Sequence, residues 1–104
     1  MVALRLVAHG LDTFPNRVGQ DLTHLTQLTL SSNRLETLPK SFVNLIRLKS
    51  VNLLRNRLTE LPAQIGDLTN LEQLQIATNR LETLPVTFGN LTKLERVNAD
   101  CNRL

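Results

Sequence analysis

His9, His24 and Cys101 are the residues of this chain best suited to bind a metal or act as a base or nucleophile. A tetrahedral metal site needs several such ligands at short, regular spacing. These three are spread from one end of the chain to the other, so no metal site is expected. A cysteine nucleophile needs a neighbouring base or cation to hold it as thiolate, and nothing beside Cys101 in the sequence supplies one. The four Asp and five Glu are scattered without a constrained pair. There is no G-x-S-x-G elbow, no phosphate-cradling glycine loop and no Cys-x-x-Cys. The expectation is a chain that is not an enzyme, with no catalytic residue, no cofactor and no small-molecule substrate.

The charged residue that does recur at fixed spacing is arginine. Arg34, Arg57, Arg80 and Arg103 each follow an Asn, with Gly10 in the corresponding place upstream. Glu36, Glu60 and Glu82 lie close by in sequence. Two readings stand open. Either the carboxylates interleave with the guanidinium groups and neutralise them, or the arginines form a stripe that reads an acidic partner through bidentate contacts.

The elements that position these residues follow from an internal repeat. Leu25, Leu48, Leu71 and Leu94 are 23 residues apart, and from each the string L-x-x-L-x-L-x-x-N-x-L-x-x-L-P unrolls. The residues are Leu25-Leu28-Leu30-Asn33-Leu35-Leu38-Pro39, then Leu48-Val51-Leu53-Asn56-Leu58-Leu61-Pro62. Next come Leu71-Leu74-Ile76-Asn79-Leu81-Leu84-Pro85, and an incomplete Leu94-Val97-Ala99-Asn102-Leu104. The first segment is a degenerate copy, with Met1, Leu4, Leu6, His9, Leu11, Phe14 and Pro15 in the same slots. It is 24 residues long, and Gln20 reads as the insertion. The copies therefore span 1–24, 25–47, 48–70, 71–93 and a partial 94–104.

Each slot has a physical reason. The L-x-L core alternates with period 2, which describes a short strand with one face inward. Strands centred on 4–6, 28–30, 51–53, 74–76 and 97–99 are expected side by side in one parallel sheet. Asn33, Asn56 and Asn79 recur between apolar slots, so they should be buried and bonded to backbone, and Asn102 continues the same structural ladder. Leu-Pro stops the strand because Pro cannot donate to a ladder. The following segment, with Val18, Phe42, Ile65 or Phe88 inward, suits a short helical or 3₁₀ turn in which Gly66 and Gly89 ease the bend.

This string resembles the leucine-rich repeat family, and the 23-residue Leu-Pro period is similar to its intracellular, Ras-group-like class. The resemblance covers essentially the whole chain. It implies an α/β solenoid: a right-handed superhelix with a concave parallel sheet and short helical or 3₁₀ turns on the convex side. It also implies protein binding on the concave sheet. No cysteine-rich cap of the secreted members is present, and core-type residues reach both ends, so a segment of a longer array is expected.

Outward strand positions then stack into columns. The first is Ala3, Gln27, Ser50, Gln73 and Arg96; the second is Arg5, Thr29, Asn52, Gln75 and Asn98. The third is Val7, Ser31, Leu54, Ala77 and Asp100; the fourth is Ala8, Ser32, Arg55, Thr78 and Cys101. The candidate protein-binding residues are Gln27, Thr29, Asn52, Leu54, Arg55, Arg57, Gln73, Gln75, Arg96 and Asn98. Leu54 is expected as an exposed apolar contact beside Arg55.

The net charge of +3 permits an acidic partner but does not argue for nucleic acid. No apolar run approaches the roughly 20 residues of a membrane span. One cysteine and no leader-like start fit a cytoplasmic scaffold. The alternatives are a regulatory repeat region of a larger signalling enzyme (kinase, GTPase or ubiquitin ligase) and a fragment of an extracellular recognition ectodomain. In the last case Asn90-Leu91-Thr92 would become a glycosylation sequon.

Overall fold

The computed structural model describes residues 2–104; the core slot assigned to Met1 lies outside the described residues. Five strands, β1 (Ala3–Arg5), β2 (Gln27–Thr29), β3 (Ser50–Asn52), β4 (Gln73–Gln75) and β5 (Arg96–Asn98), form one parallel sheet in sequence order. Their register is in step with the repeat: Leu4 opposes Leu28, Leu28 opposes Val51, Val51 opposes Leu74, and Leu74 opposes Val97.

The strands begin one residue earlier than the apolar alternation places them. The cause is backbone pairing, which is indifferent to side-chain type. The amides of Thr26 and Gln27 share the Val2 carbonyl, those of Lys49 and Ser50 share that of Thr26, and Glu72 and Gln73 share that of Lys49. Pairing also runs on past each strand, since Leu30, Leu53 and Ile76 donate to the next coil at 2.8, 2.8 and 2.9 Å. All three are buried.

The core is a column of stacked leucine layers. In the second copy Leu25, Leu28, Leu30, Leu35, Leu38, Phe42 and Leu45 are all buried, and the third copy repeats them slot for slot. Phe14 meets Phe42 edge to face, with centroids 5.5 Å apart, an arrangement that aromatic quadrupoles favour.

Each Leu-Pro pair launches the return turn. The carbonyls of Pro15, Pro39, Pro62 and Pro85 accept from Val18, Phe42, Ile65 and Phe88 respectively. Pro suits this place because its fixed φ is already that of a helical first turn. Three of the turns are 3₁₀ (Lys40–Asn44, Ile65–Asp67, Val86–Asn90), while the first copy forms a short α-helix, α1 (Asn16–Asp21). Its extra residue accounts for the difference. Leu22 donates to Val18 four residues back, whereas Leu45, Leu68 and Leu91 each donate only three back.

The glycines of these turns act differently from the expectation. Neither Gly66 nor Gly89 has positive φ. A Cβ on Gly66 would collide with the Thr87 carbonyl of the next coil, and one on Gly19 would come within 2.5 Å of the Ser41 carbonyl. These glycines let neighbouring turns stack closely. A Cβ on Gly89 would meet nothing within 4 Å.

Candidate protein-binding face

The register builds the first two outward columns residue by residue. Gln27 pairs with Ser50, Ser50 with Gln73, and Gln73 with Arg96; Thr29 pairs with Asn52, Asn52 with Gln75, and Gln75 with Asn98. Gln27, Gln73, Arg96 and Asn98 are exposed, while Thr29, Asn52 and Gln75 are half-buried. The second column is held in place by its own backbone. The side-chain oxygens of Asn52, Gln75 and Asn98 accept from Leu54, Ala77 and Asp100, each two residues on, at 3.0, 3.1 and 3.1 Å. Such local bonds restrain these side chains as Asx-type turns do. A restrained polar face loses less side-chain entropy on binding.

Leu54 is half-buried, not exposed as expected. On the coils either side Ser31 and Ala77 are buried. This third column is drawn in toward the stack as the chain leaves the sheet.

Arg55 is exposed, and its backbone is left-handed at φ 58°. So are Ala8, Ser32, Thr78 and Cys101, all between 56° and 59°. The fourth column is thus a left-handed residue in every coil. For residues with a Cβ this conformation costs roughly 1–2 kcal/mol. No Gly or Asn stands there to announce it, so the sequence offered no signal. Its consequence is positional: the reversal swings the next residue, the ladder Asn, back into the stack and leaves Arg55 pointing outward.

The Asn ladder is as expected. Asn33, Asn56 and Asn79 are buried. The Asn56 amide donates to Leu30 at 2.9 Å in the preceding coil and to Leu53 at 3.1 Å in its own, and its oxygen accepts from Leu35 at 3.1 Å. Asn79 repeats this with Leu53, Ile76 and Leu58. The carbonyls of Leu30 and Leu53 each accept from two ladder asparagines, using both lone pairs. Asn102 makes the same bonds but is only half-buried. His9 is exposed in the first ladder slot, and its own backbone N–H is capped by Asn33.

Arg57 stands apart from the strand columns. It belongs with Arg34, Arg80 and Arg103, all exposed, along the edge where the chain leaves the sheet. Their backbone amides donate to Leu11, Leu35, Leu58 and Leu81 of the preceding coil, each at 2.8 Å. The interleaving of Glu36, Glu60 and Glu82 with these arginines is not found. Among the described residues the ion pair within reach is Arg17–Asp21, at 3.0 Å on α1. The physical reason is that exposed pairs gain little over hydration and lose side-chain freedom. Glu60 is also one residue out of step with Glu36 and Glu82.

Two further features bear on chemistry. Cys101, His9 and His24 are exposed and separate, and among the described residues no three His, Cys, Asp or Glu side chains gather. A shallow groove of about 770 Å³ lies on the turn side between the second and third copies, with Lys40, Val43, Leu61, Pro62, Ala63 and Gln64 among its lining.

Comparison with known proteins agrees with this geometry. The profile described as Leucine rich repeat matches residues 2–58 and 46–104. The mouse and human proteins called Leucine-rich repeat and IQ domain-containing protein 4 are each 36% identical over 62 residues, 60% of this chain. The chain spans only about a tenth of their length, 10% and 11%. Among solved structures, the Leptospira interrogans LRR protein LIC12759 superposes with a TM-score of 0.81 at 31% identity, over 99% of this chain and 32% of that one. The ectodomain of the Arabidopsis thaliana receptor kinase GASSHO1/SCHENGEN3, solved in complex with CASPARIAN STRIP INTEGRITY FACTOR 2, gives 0.84 at 30% identity, over 98% of this chain and 13% of that one. The Arabidopsis SOBIR1 ectodomain shares the fold at 23% identity, with a TM-score of 0.81 over 96% of this chain and 70% of that one. With the register, the asparagine ladder and the family profile all covering the same coils, the chain belongs to the leucine-rich repeat family.

Proposed function

We propose that this chain is a protein-interaction module that holds a protein partner on the concave face of its sheet. The observation that carries the reading is the continuous pair of outward columns, from Gln27 to Arg96 and from Thr29 to Asn98, in the second of which the Asn52, Gln75 and Asn98 side chains are bonded to backbone. Arg55 serves as the central anchor, with half-buried Leu54 beside it and Arg57 at the rim. An arginine next to apolar surface at the middle of a face has the composition of a binding hot spot. The GASSHO1/SCHENGEN3 ectodomain, a relative in fold, is seen in complex with another molecule, which supports the reading.

Leucine-rich repeat proteins are in general binding modules without catalysis, and the reading assigns this chain no reaction. A scaffold in the cytoplasm remains the proposed setting, supported by the single, exposed Cys101. The second reading is a recognition segment within a larger signalling protein. It is favoured by the small share of the matched relatives that this chain spans, and by the further domain in their name.

The test compares Arg55→Ala with the convex control Lys40→Ala against a partner captured from a lysate and then purified. Arg55→Ala should weaken binding about tenfold, or roughly 1.4 kcal/mol, with Lys40→Ala within twofold of the parent chain. Equal affinities, with both variants folded by circular dichroism, would remove the concave assignment. A loss confined to Lys40→Ala would move the site to the groove on the turn side.

A further inference from the structure

We infer that the edge carrying Arg34, Arg57, Arg80 and Arg103 is a second docking surface, for an acidic peptide segment lying across the coils. It is distinct from the strand columns of the concave face. The four arginines occupy four consecutive coils, and each backbone is pinned to the coil before it by a 2.8 Å hydrogen bond. With coils spaced at roughly 4.8 Å, the line is about 14 Å long. Gly10 fills the corresponding place in the first coil, so the line begins at Arg34.

The four guanidinium groups are exposed and, among the described residues, engage neither a carboxylate nor any other side-chain partner. Among the described residues no ion pair offsets their mutual repulsion, and a ligand with regularly spaced negative charge would. Carboxylates suit the guanidinium fork, which takes them bidentately. An extended peptide rises about 3.3 Å per residue, so roughly five residues of an Asp/Glu-rich stretch match the length of the line.

Nucleic acid fits this edge less well. Single-stranded binders supply aromatic platforms on which bases stack. This chain has no Trp or Tyr, and Phe14 and Phe42 are buried with Phe88 half-buried. The line is also one residue wide, and exposed Glu36 and Glu82 flank it close by in sequence. That suits a single narrow strand of charge better than a duplex.

Fluorescence anisotropy with fluorescein-labelled octaglutamate, at 50 and 300 mM salt, tests the assignment. The double variant Arg34→Gln/Arg80→Gln removes alternate members of the line and leaves Arg57 in place. Its failure to bind therefore says nothing of the concave reading. The control Arg17→Gln/Arg47→Gln removes the same charge elsewhere. The expected result is binding that weakens with salt, a loss of tenfold or more for the first variant, and a change under twofold for the control. Equal losses in the two doubles would reduce the effect to net charge and overturn the site. So would an absence of octaglutamate binding at 50 mM salt, or equally tight binding of an eight-nucleotide oligothymidine. Circular dichroism of both doubles excludes misfolding as the cause.

Discussion

At Asn56 three hydrogen bonds converge on one buried amide, and their loss is not symmetrical. The carbonyls of Leu30 and Leu53 keep a second donor, from Asn33 and Asn79, when Asn56 is removed. The buried amide of Leu35 has no such reserve. Leaving one buried donor unsatisfied costs roughly 1–3 kcal/mol. Asn56→Ala should therefore lower the thermal midpoint by several degrees, since about 1 kcal/mol moves a domain of this size by roughly 4–8 °C. Asn102→Ala should cost less, because water reaches that half-buried site. A melt in which the two variants coincide, or in which Asn56→Ala is silent, would show that the ladder contributes little to stability.

The return turns show how one atom or one residue sets an element. Gln20 lengthens the first turn enough to close an i−4 bond, and the result is α1 in place of a 3₁₀ turn. Gly66 acts through what it lacks, since a methyl group there would meet the Thr87 backbone. Gly66→Ala should destabilise by about 1–3 kcal/mol through overpacking. At Gly89, with no positive φ and open space, the same change should be neutral or stabilise by up to about 1 kcal/mol. Urea midpoints of the two variants give the answer. A loss of similar size at both would point to backbone flexibility, not coil stacking, as the role of these glycines.

Across the whole molecule, burial depends on having a coil on each side. Val51 and Val97 fill the same slot of the repeat, yet Val51 is 2% exposed and Val97 44%. Val51→Ala should cost about 2 kcal/mol from lost burial and the cavity left behind, and Val97→Ala less than about 1. Because each coil is stable only against its neighbours, the Val51 variant should still unfold in one transition, at lower denaturant. Two resolved transitions for Val51→Ala, or equal midpoints for the two variants, would contradict nearest-neighbour stacking as the source of stability.

The sequence by itself determined the coil length, the inward slots, the parallel register and the asparagine ladder. Each follows from a repeated pattern in which one slot has one physical role, so Leu25, Leu48 and Leu71 are equivalent before any coordinates exist. The first two outward columns were legible for the same reason, because period 2 within a strand and 23 between strands leave one arrangement. Tertiary structure alone decided the left-handed backbone at Arg55 and its equivalents, where Ala, Ser, Arg, Thr and Cys give no conformational signal. It also decided that Leu54 is drawn inward and that Gly66 serves close approach, since both depend on atoms of the adjacent coil. The state of the arginine line was undecidable from spacing: whether Glu36 pairs with Arg34 turns on how two hydrated side chains compare with water, a balance too small for any pattern to reveal.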